Sequence, residues 1–257
     1  MGIAGAAWAT VLAQAITAVL YIVYLLKKKG QLRISIRLFR FNKTILMEIL
    51  KIGIPVFLFQ LLFGVSQGIT NSAANEFGDT AIAAVGIVTR ILAVGTFIIF
   101  GFVKGFQPLA GYAYGANNVI RLKQSINLTL KWTSCFAALF AMVITLFPNT
   151  IMQWFSADET VISIGSKMLF VNGVIFVFFG FQAVYSSLFL ALGKAREGGI
   201  LSISRSGLFF IPSILILPQF FDLDGVIYAQ AIADIFTILL TALFMINLNK
   251  KIKRIQT

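Results

Sequence analysis

Seven apolar stretches, each at least about twenty residues long and set apart by short charged clusters, constrain this chain more than any other feature. A helix of that length, rising about 1.5 Å per residue, crosses the roughly 30 Å hydrocarbon core of a bilayer. The stretches, named spans A to G, cover residues 3–26, 52–75, 81–112, 124–147, 160–192, 197–217 and 225–248. Hydrocarbon offers no water to an unpaired peptide group, so spans of this length are helices and the chain reads as an all-α polytopic membrane protein. At 59% hydrophobic and 12% charged residues, it has too little polar surface to cover a soluble globule. Soluble enzymes, nucleic-acid binders and secreted disulfide scaffolds are excluded. One cysteine, Cys135, closes no internal disulfide, and a chain without histidine has no zinc or haem ligand set. No catalytic triad, phosphate loop or metal cluster marks an enzyme, and no cofactor is expected.

The placement of charge explains the net +12 through topology, with no need for a nucleic-acid partner. Between A and B lie Lys27, Lys28, Lys29, Arg33, Arg37, Arg40, Lys43 and Lys51 against one acid, Glu48, which marks that connection as cytoplasmic. Every second loop agrees: Arg121 and Lys123 between C and D, Lys194 and Arg196 between E and F, and Lys250, Lys251, Lys253 and Arg254 after G. The opposite loops hold Glu76, Asp79, Asp158, Glu159, Asp222 and Asp224 and no base. Span A therefore starts outside, and the C-terminus lies inside. Span A is a poor signal peptide, lacking a basic leader and followed by a lysine run that stops transfer, so it stays in the mature chain. Residues 33–40 alternate apolar and basic side chains, which suits either an amphipathic segment on the anionic inner leaflet or a solvated linker. The sequon at Asn127 and Thr129 faces the inner side and stays unused. Spans C and E are over-long, and C is expected to bend where Gly101, Gly105 and Pro108 cluster.

An internal repeat extends the reading. Span A begins GAAWATVLAQAI at Gly5 and span G begins GVIYAQAIADIF at Gly225, an offset of 220 that aligns Trp8 with Tyr228 and Gln14 with Asp234. If A closes one repeat and G the next, each repeat has six helices and five precede Met1 in the parent, giving twelve helices in two parallel halves. Six per half keeps both halves in one orientation, as A and G have. Seven helices with an outside N-terminus also fit a receptor, but the repeat argues against it, and span G lacks the deep lysine of a retinal protein.

Polar side chains at membrane depth are costly and face a cavity or a neighbouring helix. Span G carries Gln230, Asp234, Thr237 and Thr241 on one face, and span B repeats the spacing with Gln60, Gly64, Gln67 and Asn71. The two faces read either as walls of one hydrated cavity or as hydrogen-bonding glue between helices. The pairs Gly64/Gly68, Gly101/Gly105 and Gly111/Gly115 have GxxxG spacing, which serves close helix approach. Arg90, Lys167 and Arg205 are further deep charges; Lys104 and Lys131 sit nearer the inner surface and snorkel. Pairing of Asp234 with Arg205 or Arg90 would make that acid a structural partner in place of an ion site. Among the 26 phenylalanines, most of them lipid or core contacts, Phe57, Phe63, Phe178 and Phe181 are candidates to line a path.

From Gly53 the sequence reads GIPVFLFQLLFGVSQGITNSAANEFGDTAIAAVGI, and span C ends GFQPLAGYAYGANN from Gly105. With LALGKAREGGILSISR from Leu190, these runs resemble the MATE multidrug and toxic compound extrusion transporters, leaning to the bacterial MepA-like branch. The motifs are the Gly-Ile-Pro opening at Gly53 to Pro55, the acidic outer loop from Glu76 to Asp79, and the Q-P-x-x-G-Y-x-x-G-A element from Gln107 to Ala116. The resemblance implies the C-terminal six-helix lobe of a twelve-helix, two-lobe transporter that exports small lipophilic, often cationic drugs in exchange for sodium or protons by alternating access. It divides the chain into the last helix of the N-terminal lobe (1–26), a basic cytoplasmic linker (27–51), the C-lobe (52–249) and a basic tail (250–257), in the cell membrane. The missing N-terminal lobe and the lipid bilayer are the implied partners. One departure matters: some members carry a Glu in the equivalent of B and an Asp in the equivalent of E, whereas here B has Gln60 and Gln67 and E has no internal acid. That cation site is absent, so the coupling carboxylate is expected in the missing half, with Asp234 as the local candidate. A lipid-linked oligosaccharide flippase of the same superfamily is the alternative, kept open by Arg90, Lys167 and Arg205.

The repeat makes a direct prediction: the DNA upstream of the Met1 codon continues in frame and encodes five further apolar helices with an acid in the first. A stop codon immediately upstream would mean a seven-helix protein, which either assembles with another half or returns the receptor-like reading.

Overall fold

The computed structural model describes residues 2–27 and 41–256 and places helices, with no strand, along them. The alternating basic stretch 33–40 lies outside the described residues. Among the described residues, six helices are long and apolar enough to cross a membrane, the last of them a run comprising two spans. The chain divides into two units, residues 1–47 and 48–257. In the first, α1 (Gly2–Leu26) exposes its side chains from Ala7 to Tyr24 on all faces, and Thr17 returns its hydroxyl to the Ala13 carbonyl at 2.8 Å.

Helix α2 (Lys43–Asn75) starts nine residues earlier than the apolar pattern of span B, because Asn42 caps it by accepting the Thr44 N–H at 2.9 Å. The helix α3 (Asp79–Gly115) runs as one element through Gly101, Gly105 and Pro108, the cluster at which a bend is expected. A proline inside a helix removes one backbone donor, and the carbonyl it leaves is a single gap in a helix otherwise bonded on both sides. The GANN end of the motif is a turn. Asn117 takes a left-handed φ of 52°, the Asn118 N–H bonds the Ala113 carbonyl at 2.9 Å, and the Asn118 side chain then accepts from Arg121 N–H to open α4 (Val119–Leu146).

A short α5 (Pro148–Gln153) leads to α6 (Glu159–Phe176), capped by Asp158 through the Thr160 N–H at 2.8 Å. Span E is not one helix: it breaks at Val177–Phe178 into α6 and α7 (Phe179–Ala191). Span F is α8 (Ala195–Ile203), a π turn at Ser204–Leu208 and the first arm of α9 (Phe210–Gln256). Asp222, at φ 48° and ψ −133°, breaks α9 into two arms, the second of which contains span G. The arms return on each other so closely that a Cβ on Gly225 would collide with the Leu217 carbonyl.

Two apolar clusters hold the second unit together. One packs Ile99, Phe106, Leu122, Phe176, Phe179 and Leu188 from α3, α4, α6 and α7. The other packs Val88, Met152, Leu169, Phe210, Ile214 and Ile227 from α3, α5, α6 and both arms of α9. Leu92 touches both. Among the described residues, no close approach falls at most of the GxxxG glycines. A Cβ added at Gly64, Gly68, Gly101, Gly105 or Gly115 would have no described atom within 4 Å, and one at Gly111 would meet only the Ala191 carbonyl at 3.4 Å. The tight contacts fall at isolated glycines such as Gly180, whose Cβ would stand 2.8 Å from the Thr133 backbone. Spacing shows that small residues share a helix face, but which face meets a neighbour depends on helices far away in sequence.

Gly180→Ala and Gly225→Ala should each destabilise the protein by about 1–3 kcal/mol, since backbone must move to admit a methyl group. Gly101→Ala should be neutral or mildly stabilising. Melting in detergent, followed by loss of the monodisperse peak on size exclusion, checks the contrast.

Candidate functional site

A cavity of about 180 Å³ lies among α2, α3, α6, the π turn and both arms of α9, and Leu92, which packs on both apolar clusters, forms part of its wall. Helix α2 contributes Gln60, Phe63 and Gln67, spaced three and four residues apart and so on one face. Helix α3 contributes Thr89, Thr96 and Phe100, spaced seven and four apart. Asn172 enters from α6; its amide donates to the Met168 carbonyl at 2.8 Å, which leaves its own oxygen available to a ligand. Arg205 and Ser206 come from the π turn, and Phe210 and Gln230 from the two arms of α9. Most of the walls are aromatic or amide and hydroxyl groups, and none of the lining residues is an acid.

The π turn joins the wall to its support. Its i to i+5 bond, from the Phe209 N–H to the Ser204 carbonyl at 3.0 Å, widens the helix locally, and the buried Ser66 hydroxyl of α2 donates to the Ser206 carbonyl. Leu62 of α2 packs against Gly207, where a Cβ would meet it at 2.7 Å. One residue back from Ser206, Arg205 forms a two-point ion pair with Asp234: Nε donates to Oδ1 at 2.9 Å and Nη2 to Oδ2 at 3.3 Å. Gln230 adds a bond from Nε2 to the same Oδ1 at 2.8 Å, and the guanidinium carbon lies 4.5 Å from the Phe179 ring centre. Side-chain exposures of 18% for Arg205 and 12% for Asp234 place the pair largely out of solvent. The paired bonds reduce the cost of taking both charges out of water, and removing either partner would leave the other buried and unpaired.

The sequence-derived candidates separate. Gln60, Gln67, Phe63, Gln230 and Arg205 line the cavity. Asp234 lies behind Arg205, outside the lining. Phe57 and Phe178 are exposed elsewhere, as is Asn71, and Phe181 packs on Tyr185 at 5.0 Å between ring centres. Arg90 is exposed and makes no ion pair among the described residues. Thr237 and Thr241 are buried and return their hydroxyls to the Ala233 and Thr237 carbonyls at 2.7 Å, so of the polar face on span G only Gln230 reaches the cavity. The second deep cation, Lys167, pairs with Asp224 at 2.6 Å in an exposed bridge, with Tyr228 5.9 Å away. The contributions of α3 and α6 were missed. Thr89, Ala93, Thr96 and Phe100 repeat the four, three, four spacing seen in span B, and Asn172 is a lone amide in an apolar helix; both signals stand in the sequence.

The sequence and the fold have counterparts among known proteins. The MatE family model matches residues 55–216, well over half of the chain. The chain belongs to the MatE family. The multidrug export protein MepA of Staphylococcus haemolyticus (strain JCSC1435) is 29% identical over 234 residues, covering 91% of this chain and 51% of that protein. An outward-facing multidrug resistance MATE family transporter of the MOP superfamily superposes with a TM-score of 0.86 at 24% identity, covering 99% of this chain and 58% of the other. A MATE solved in complex with MaL6 gives a TM-score of 0.86 at 25% identity, covering 98% and 58%. The MatE chain therefore spans about half the length of the curated relatives it matches, and it is a multi-pass membrane protein of a transporter family.

Asp234→Ala would leave Arg205 buried without its counter-ion and should destabilise this MatE protein by about 3–5 kcal/mol. Pairing Arg205→Gln with Asp234→Asn keeps a neutral hydrogen bond and should recover most of that loss. Melting temperatures of the single and double variants in detergent measure the coupling.

Proposed function

We propose that this chain forms one lobe of a secondary active exporter that moves lipophilic, often cationic compounds out of the cell by alternating access, in exchange for sodium or protons. The observation that carries the reading is the cavity, with aromatic faces beside uncommitted amides and hydroxyls in a membrane-spanning bundle. Such walls hold varied amphipathic molecules through dispersion and adaptable hydrogen bonds. Membership of the MatE family and the similarity to a MepA multidrug export protein support the same reading. In this proposal residues 1–26 close a preceding six-helix lobe, 27–51 form the cytoplasmic linker, 52–249 are the second lobe, and 250–257 a cytoplasmic tail in the cell membrane.

Coupling is assigned to the preceding lobe. The two-point bond from Arg205, with a third from Gln230, holds Asp234 as a structural partner, and no acid lines the cavity to bind a dehydrated cation. Transport, with no bond made or broken in the substrate, is the proposed activity. The flippase reading draws support from Arg205 in the wall, but Arg205 is the single cation of the lining, and a pyrophosphate head carries more negative charge than one guanidinium balances.

In an efflux-deficient bacterial host, the intact protein should lower accumulation of a lipophilic cationic dye such as ethidium. Phe63→Ala and Gln67→Ala should each weaken that export roughly three- to tenfold, as expected for loss of one well-packed contact. Unchanged accumulation on expression of the wild-type protein would sink the proposal, and a changed sodium or proton dependence in Asp234→Asn would move coupling into this lobe.

A further inference from the structure

The cavity wall carries charge in a definite order. Arg205 is the one ionised side chain in the lining, and the carboxylate that balances it lies outside the lining, behind the guanidinium. A ligand inside the cavity therefore meets the positive member of the pair first. Opposite charges in contact cancel at a distance, but at hydrogen-bond range the nearer member dominates, more so where water is scarce. The guanidinium spends Nε and one Nη2 proton on Asp234, and its Nη1 donors have no protein partner among the described residues. The Phe179 ring centre lies 4.5 Å from the guanidinium carbon, within cation–π range.

The groups nearby point the same way. Gln60, Gln67 and Thr96 make no side-chain hydrogen bond among the described residues, and each offers a donor to the cavity. Phe63, Phe97 and Phe100 offer ring faces. A cationic ligand group at this wall would face Arg205 with no counter-ion, whereas a carboxylate would accept charge-assisted bonds from it.

We infer that the wall around Arg205 is a subsite for the carboxylate of a small aromatic acid, whose ring lies against the phenylalanines of α2 and α3. This rests on the cavity being the substrate site of an exporter, and it narrows that reading: this lobe selects for the acidic end of an amphipathic molecule, and any cationic end finds its counter-charge elsewhere. A volume of about 180 Å³ suits one or two fused rings with one acidic group.

The test compares two probes with the same ring and opposite charge, naphthoate and naphthylmethylammonium, by equilibrium dialysis against the intact protein in nanodiscs. Naphthoate should bind about tenfold more tightly, the size of one charge-assisted hydrogen bond. The double variant R205Q/D234N should abolish that preference. Gln67→Glu, on a wall formed by a different helix, should shift the ratio toward the ammonium about tenfold and serves if the double variant fails to fold. Tighter or equal binding of the ammonium by the wild type overturns the carboxylate subsite and leaves the cavity reading intact. So does a preference that survives the double variant, or a ratio unmoved by Gln67→Glu. If neither probe binds, both the subsite and the cavity as a substrate site fall.

Discussion

A peptide group in hydrocarbon has no water to turn to, and every level of this structure follows from that constraint. It makes the described spans helical, and it obliges each irregular point to find a protein partner. The turn after α3 closes through Asn117 and Asn118, and α6 begins on the Asp158 side chain. The π turn hands the Ser206 carbonyl to Ser66. Four buried threonine hydroxyls follow the same rule, Thr70, Thr133, Thr237 and Thr241 each donating to a carbonyl one turn earlier in their own helix, whereas the buried Ser166 and Ser187 hydroxyls have no partner among the described residues. Against that background the uncommitted amides and hydroxyls of the cavity stand out, because side chains with no protein partner at such depth need a hydrated space or a ligand.

Arg205 and Asp234 tie this space to the fold. One is on the π turn and the other on the second arm of α9, so their bond joins segments that Asp222 folds back on each other. Phe179, at the start of α7, packs on the guanidinium, and thus the break in span E, the π turn and the last helix meet at one charged pair. The same contact keeps Asp234 out of the cavity and turns Arg205 toward it, so the support and the polarity of the wall have one cause.

Much of this was legible in the residues. Apolar run lengths located the spans, and the spacing of Gln60 and Gln67 marked the face of α2 that lines the cavity. The motif from Gln107 to Ala116, and the runs around it, resembled the family whose model matches residues 55–216. Other features were written in the sequence but masked by stronger signals. Asn42 caps α2, yet the apolar pattern drew the boundary to residue 52; Thr89 and Thr96 share a face of α3, yet lie among residues apolar enough to read as lipid contact. At most of the GxxxG glycines no described atom stands close, because spacing reports a shared face and says nothing of what stands opposite it.

The sequence by itself determined that this chain is a set of membrane helices, and in broad terms which faces are polar, because hydrocarbon imposes length and periodicity locally, residue by residue. Only the tertiary structure decided that Asp234 takes Arg205 and not Arg90, that Phe63 meets the cavity while Phe57 and Phe178 do not, and that Gly180 and Gly225 carry the close approaches. Those outcomes depend on which helices lie side by side and at what rotation. That is set by the packing of side chains far apart along the chain, and no local pattern contains it.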